Sequence, residues 1–250
     1  METKVFLAGA AGAIGSALVP LLVEAGFTVY GSTRRAERAP QIEQAGATPV
    51  IVDVFDARAL TEALRRIEPA CVIHQLTDLP PALDPAKMPQ AVAANARIRD
   101  EGTRNLIAAA RVAGSKRFVA QSIAWAYREG AQPYDETQPL DTEAEGNRLV
   151  TVRGVVSLET QVLRAPLIGT VLRYGQLYGP GTGADHATGA SPVHVDAAAH
   201  AAVLALRHAR AGVFNIAEDN PVVSTEKAKR QLGWAADWRR STANAQDAAQ

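Results

Sequence analysis

The chain has 250 residues, 47% of them hydrophobic, with 26 basic residues balancing 26 acidic ones. This is enough chain for one sizeable core, and a net charge of zero lacks the basic field that a nucleic-acid or membrane-surface partner needs. The single cysteine, Cys71, excludes an internal disulfide framework, and no apolar run approaches the length of a membrane span.

Lys4–Ala8 is a short apolar run that reads as a buried strand, and no basic and apolar leader precedes it, which points to the cytoplasm. The Gly9–Gly15 loop follows, then a helical period over Ala13–Ala25 stopped by Gly26. Phe27–Ser32 is a second strand, Arg35–Ala45 a helix, Thr48–Val52 a third strand closed by Asp53, Ala57–Ile67 a helix and Ala70–His74 a fourth strand. Cys71 lies inside that last apolar run and reads as a small core residue. Strict strand–helix alternation predicts an α/β fold, a doubly wound parallel sheet of the Rossmann type. Beyond a proline-rich loop at residues 80–89, a long helical stretch covers Gln90–Ala113, with a break near Gly102. Lys116–Gln121, Leu167–Arg173 and Val213–Ile216 read as strands, and Val150–Leu163 and Val195–Ala209 as helices. The β-branched Val150-Thr151-Val152 weakens the first of these helices. The segments about 123–148, 175–195 and 217–240 form a reduced substrate side of a single domain spanning residues 1–250. The polar end of the chain beyond Ala235 is expected to fray.

The loop Gly9-Ala10-Ala11-Gly12-Ala13-Ile14-Gly15 carries the chemistry. Its first glycine permits the turn from strand to helix, its second lets backbone approach a pyrophosphate, and its third lets the helix pack on the sheet. Free N–H groups at the helix start, around Ala11, Ala13 and Ile14, then face the phosphates. The context of strand before and helix after is what gives the glycine spacing its meaning. At the end of the second strand, where an NAD site places an acid for the ribose hydroxyls, the chain has Ser32-Thr33-Arg34-Arg35. A guanidinium pairs with a 2′-phosphate, so NADP is favoured, with NAD possible. Asp53 is read either as an acceptor for the adenine amino group or as a helix cap, a role for which Asp56 competes. Val54 and Leu76, beyond the third and fourth strands, complete the expected cofactor wall.

These residues, with Gly102-Thr103-Arg104-Asn105-Leu106, Leu172-Arg173-Tyr174-Gly175-Gln176-Leu177-Tyr178-Gly179-Pro180-Gly181 and His194-Val195-Asp196-Ala197-Ala198, resemble the short-chain dehydrogenase/reductase superfamily, in its extended epimerase/dehydratase branch. The resemblance runs from about residue 4 to 234. It implies an NAD(P)-dependent enzyme acting on a small carbonyl or hydroxyl compound. It also implies a homodimer formed through about Gln90–Ala113 and Val150–Leu163. That family works with a serine or threonine and a Tyr-x-x-x-Lys pair on one helix. Here Gly154 stands where the tyrosine is expected and Leu158 where the lysine is, and the chain has no Tyr-x-x-x-Lys.

A replacement proton donor has to lie at a strand's carboxyl end. Tyr127 is the preferred donor, with Ser122 polarising the substrate oxygen, and simple packing beside the loop is the alternative for Tyr127. Trp125 either walls a substrate pocket or fills core. His74, His186 and His194 have no metal-ligand spacing, so no metal is expected. Arg97, Arg99 and Arg104 read either as contacts to a phosphate or a partner or as a solvated helix face. The competing functions are a degenerate NADP sensor or regulatory protein, and a redox-neutral isomerase or cyclase.

Overall fold

The structure is a computed structural model, and it describes residues 3–80 and 84–241. Seven strands form one sheet: β1 (Thr3–Ala8), β2 (Phe27–Thr33), β3 (Thr48–Ile51), β4 (Cys71–His74), β5 (Arg117–Ile123), β6 (Ile168–Tyr174) and β9 (Gly212–Ile216). Their order is β3-β2-β1-β4-β5-β6-β9, and every pairing is parallel. The order reverses between β1 and β4, which opens a crevice at the carboxyl ends of the strands.

Period-two alternation divides each strand between two cores. Val5 and Leu7 of β1 join Cys71, Ile73, Val119, Leu172 and Phe214 under α1 (Ala13–Glu24) and α7 (Val195–His208). Phe6 and Ala8 face the other way. They pack with Val72, Phe118 and Val171 against α3 (Ala57–Ile67), α5 (Thr103–Val112) and α6 (Gly146–Arg164). Phe118 is fully buried there, and cutting it to alanine would cost about 3–5 kcal/mol. Asp56 caps α3 by accepting the Ala59 N–H at 2.9 Å.

Some elements differ from the sequence reading. The stretch read as Arg35–Ala45 is a 3₁₀ turn, Ala36–Arg38, followed by α2 (Ala39–Gln44). The break near Gly102 is a π-helical turn, Ile98–Gly102, joining α4 (Met88–Arg97) to α5. Helix α6 begins at Gly146, ahead of the β-branched run, because burial of Val152 and Val155 outweighs their local propensity. Two short strands, β7 (Gln176–Tyr178) and β8 (Pro192–His194), flank the glycine-rich segment 179–191 and pair with each other. Helix α8 (Glu226–Leu232) also went unread. Of the segment expected to fray, residues 235–241 are docked, and residues 242–250 lie outside the described residues. Trp238 stacks on His200 at 4.2 Å, and Arg240 bonds Glu24 at 2.6 Å.

Candidate functional site

A cavity of about 430 Å³ lies at the carboxyl ends of β1, β2 and β4. The glycine loop forms its floor. Gly9 has φ +90, and a Cβ there would fall 2.8 Å from the Gln75 carbonyl oxygen. A Cβ on Gly15 would fall 2.1 Å from the Gly9 oxygen, so only glycine lets α1 start this close to β1. Gly12 is the N-cap residue of α1 and brings no capping side chain, which leaves the first N–H groups of the helix for an anion. These features suit a pyrophosphate.

The sequence-predicted residues Gly9, Ala11, Gly12, Ala13, Ser32, Thr33, Arg34, Asp53, Val54 and Leu76 all line this cavity. Ile14 and Gly15 stand behind it, buried in the start of α1. Asp53 accepts the Phe55 N–H at 2.9 Å while Asp56 takes the capping role, which leaves Asp53 on the cavity wall. Sequence reasoning missed several lining groups. Arg38 reaches back to the Ala11 carbonyl at 3.1 Å, and Asp78 accepts from Arg34 at 3.1 Å. Gly181–Gly183 approach from the loop after β7. The spacing of Arg34, Arg35 and Arg38 was a readable cue, whereas the approach of Asp78 and Gly181 depends on tertiary folding.

The two catalytic candidates come together, but in a buried network. Ser122 donates to Glu159 at 2.7 Å, and Arg173 grips Glu159 with two bonds of 2.9 and 2.6 Å. Arg173 also donates to the Tyr127 hydroxyl at 2.8 Å, and Tyr127 donates to Asn215 at 2.6 Å. Tyr127 is only 4% exposed. Burial raises its pKa, although Arg173 and Asn215 pull the other way. A hydroxyl that already donates inside the protein and resists ionisation is poorly placed to protonate a substrate, which weighs against the donor role expected of Tyr127. Burial works against the Arg173 charge, but the bonds and charge of Glu159 raise its pKa overall.

The helix position expected to carry the tyrosine also faces elsewhere. A Cβ on Gly154 would lie 3.0 Å from Ala96 of α4, and Leu158 lies in the core. The α6 residues packed at the end of β5 are Val152 and Val155, clustered with Ile123 and Ala126. Beside them is a second cavity of about 350 Å³, lined by Ala124, Trp125, Tyr127, Glu129, Tyr134, Asp141, Arg148, Gln176, Ala190, Ser191 and Val222. All three segments read as the substrate side contribute to it. Trp125 is 41% exposed and forms wall rather than core. The Arg148 guanidinium is committed to Asp141 and to the carbonyls of Trp125 and Tyr127. Of the histidines, His194 caps α7 by accepting the Asp196 N–H, and His186 is exposed. His74 is fully buried, and burial with the charge of Arg99 lowers its pKa to about 3.

Comparison with known proteins agrees with this geometry. Residues 9–188 match the family model described as NAD(P)H-binding. A Streptomyces protein named 3-diazoavenalumate denitrifying reductase is 38% identical over 244 residues, covering 89% of this chain and 78% of its own. UDP-glucose 4-epimerase of Thermotoga maritima, solved with UDP-glucose, superposes with a TM-score of 0.75 at 20% identity, covering 95% of this chain and 94% of that one. The Brucella ovis UDP-glucose 4-epimerase in complex with NAD gives 0.75 at 17%, with the same coverage. No described helix is long and apolar enough to cross a membrane. The chain belongs to the NAD(P)H-binding family, as an NAD(P)-dependent enzyme related to a reductase, and shares its fold with UDP-glucose 4-epimerases.

Proposed function

We propose that this protein is an NADP(H)-dependent reductase whose substrate accepts hydride without a tyrosine–lysine proton donor, an electron-poor aromatic diazo compound being the class that fits best. The observation that carries this reading is the apolar cluster of Ile123, Ala126, Val152 and Val155 at the end of β5, beside a Tyr127 hydroxyl already committed to Arg173 and Asn215. A ketone needs a proton as its oxygen gains charge. A diazonium carries its own positive charge and leaving group, so it needs no acid. The name of the Streptomyces relative supports the same class. When bound, the reduced cofactor supplies hydride, and R–N₂⁺ plus hydride gives R–H plus N₂ with nothing left over.

In this reading the glycine loop and the start of α1 hold the pyrophosphate, Arg34 and Arg35 with Ser32 and Thr33 hold the 2′-phosphate, and Asp53, Val54 and Leu76 line the nucleoside. Ser122 and Tyr127 serve as positioning residues that fix the loop after β5. Trp125 walls the substrate cavity formed by segments 123–148, 175–195 and 217–240 of a single domain. The protein acts in the cytoplasm as a homodimer, for which the exposed Val150 and Leu163 of α6 and Val112 of α5 supply apolar surface. Light scattering at micromolar concentration tests the dimer.

The test of the reaction uses NADPH deuterated at the transferable position with a stable arenediazonium salt. Deuterium in the recovered arene, with N₂ released in equal amount, is the expected result. NADP binding without transfer to diazo, carbonyl or alcohol substrates would favour the sensor reading, which the missing acid–base pair also accommodates.

A further inference from the structure

The chain has three tryptophans, and two of them are spent on packing. Trp234 is buried and donates to the Ala197 carbonyl at 2.9 Å, and Trp238 stacks on His200. Trp125 differs. Its backbone is pinned on both sides. The Ala124 N–H donates to the Tyr174 carbonyl at 2.8 Å, and the Asp141 N–H donates to the Ala126 carbonyl at 2.9 Å. Arg148 donates to the Trp125 carbonyl itself at 3.2 Å. The indole has no ring partner among the described residues, and it stays 41% exposed on the wall of the cavity of about 350 Å³. An indole mounted on fixed backbone with an open face is a surface for another flat ring.

Gln176 lines the same cavity. Its Oε1 accepts both the Ser191 N–H and the Ser191 hydroxyl, each at 3.0 Å. A backbone N–H can only donate, so these bonds fix which end of the amide is oxygen. The loop before β8 closes tightly on the side chain. Gly189 has φ +77, and a Cβ there would fall 2.7 Å from the Gln176 Cδ. The Nε2 end is left without an acceptor among the described residues, and it keeps its access to solvent. Of the charged groups on the wall, Glu129 and Asp141 are acceptors, and the Arg148 guanidinium is held by Asp141 and two carbonyls. The cavity lies at the carboxyl ends of β5 and β6, the strands that follow β4 in the sheet, on the side away from the arginines after β2.

We propose that Trp125 and Gln176 are the specificity-determining residues of this cavity, Trp125 stacking on an aromatic ring of the substrate and the Gln176 Nε2–H donating to a carbonyl-type oxygen borne on that ring. Trp125 supplies the flat apolar face, and Gln176 supplies a neutral donor whose direction Ser191 sets. The proposal deepens the reading of this cavity as the substrate site, and rests on it.

The test is ligand-observed NMR titration of the protein saturated with NADP⁺. The probes are acetophenone, α-methylstyrene, in which CH₂ replaces the oxygen, and cyclohexyl methyl ketone, which lacks the aromatic ring. Acetophenone is expected to bind about 3- to 10-fold tighter than either of the others. Gln176→Glu keeps the oxygen that holds Ser191 and puts a second oxygen in place of Nε2. It should abolish the advantage over α-methylstyrene and keep the advantage over cyclohexyl methyl ketone. A Gln176 that only held the loop would leave both advantages unchanged in this variant. Trp125→Leu should do the opposite, losing the ring advantage and keeping the oxygen advantage. NADP⁺ binding, followed in parallel, reports that each variant is folded. In wild type the ¹³C carbonyl resonance of bound acetophenone should also move downfield, as a donor meets the oxygen. Where a variant does not fold, the wild-type preferences and this resonance decide. The proposal is overturned if wild type lacks either advantage, if an advantage survives in the variant meant to remove it, or if the carbonyl resonance does not move. Both preferences without deuterium transfer leave this pair standing and remove the reductase reading, whereas transfer without the preferences does the reverse.

Discussion

Replacing Arg34 by alanine tests the cofactor assignment. In the ligand-free chain Arg34 bonds Asp78 at 3.1 Å across the mouth of the cleft, and the two side chains are 45% and 38% exposed. An exposed pair of this kind contributes about 0–1 kcal/mol. A charge-assisted bond from a guanidinium to phosphate contributes about 1.5–3 kcal/mol. Exchanging one for the other leaves a net gain of about 1–2 kcal/mol that NADPH receives and NADH does not. Arg34→Ala is therefore expected to weaken NADPH binding by about 5- to 30-fold and to move NADH by less than about twofold. Asp78→Asn removes the competing carboxylate and is expected to tighten NADPH binding by up to about fivefold, more at low salt than at high. Titration of nicotinamide fluorescence with both cofactors at two ionic strengths measures all of this. Equal weakening of NADPH and NADH by Arg34→Ala, or weaker NADPH binding by Asp78→Asn, would refute the assignment.

Other expectations follow from the buried groups. Glu159→Gln and Arg173→Met should each cost about 3–5 kcal/mol in urea unfolding, and a double Glu159→Met/Arg173→Met variant should cost well under the sum, since it strands no charge. Tyr127→Phe should lose about 1–3 kcal/mol of stability by stripping partners from Arg173 and Asn215, while steady-state turnover stays within about fivefold. A fall in turnover of several orders of magnitude would restore Tyr127 as the proton donor. His74 has a folded pKa of about 3, below its ordinary value, so the native state binds fewer protons than the unfolded one. Its contribution is complete above the unfolded pKa and declines as pH falls toward 3, by at most about 1.4 kcal/mol per pH unit, and thermal melts of His74→Gln between pH 4 and 7 should show a flatter profile. Gly15→Ala places a Cβ 2.1 Å from the Gly9 oxygen, so NADPH affinity and melting temperature should both drop.

The strands of the main sheet and the cofactor loop were legible because their causes are local. Short apolar runs such as Lys4–Ala8, glycines at fixed spacing and the hydroxyl–arginine run after β2 state their meaning within a few residues. The small elements were not legible. β7 and β8 hold each other across the 13 residues between Tyr178 and Pro192, and α8 is only 7 residues long, so neither has enough local period to read. The docking of Trp238 on His200 is likewise a contact between distant positions.

The same division separates the two halves of the site. The sequence by itself determined a Rossmann-type domain, its phosphate-binding glycines and the loss of the Tyr-x-x-x-Lys pair. Only the tertiary structure decided what the remaining polar residues do. Ser122, Tyr127, Glu159, Arg173 and Asn215 come from β5, the loop after it, α6, β6 and β9, and their hydrogen bonds exist only once those elements pack. Arg97 and Arg104 pair with Glu101 and Asp100 at the surface, whereas the Arg99 side chain lies against α6 at Gly154, and which neighbour a side chain meets is a property of packing rather than of sequence.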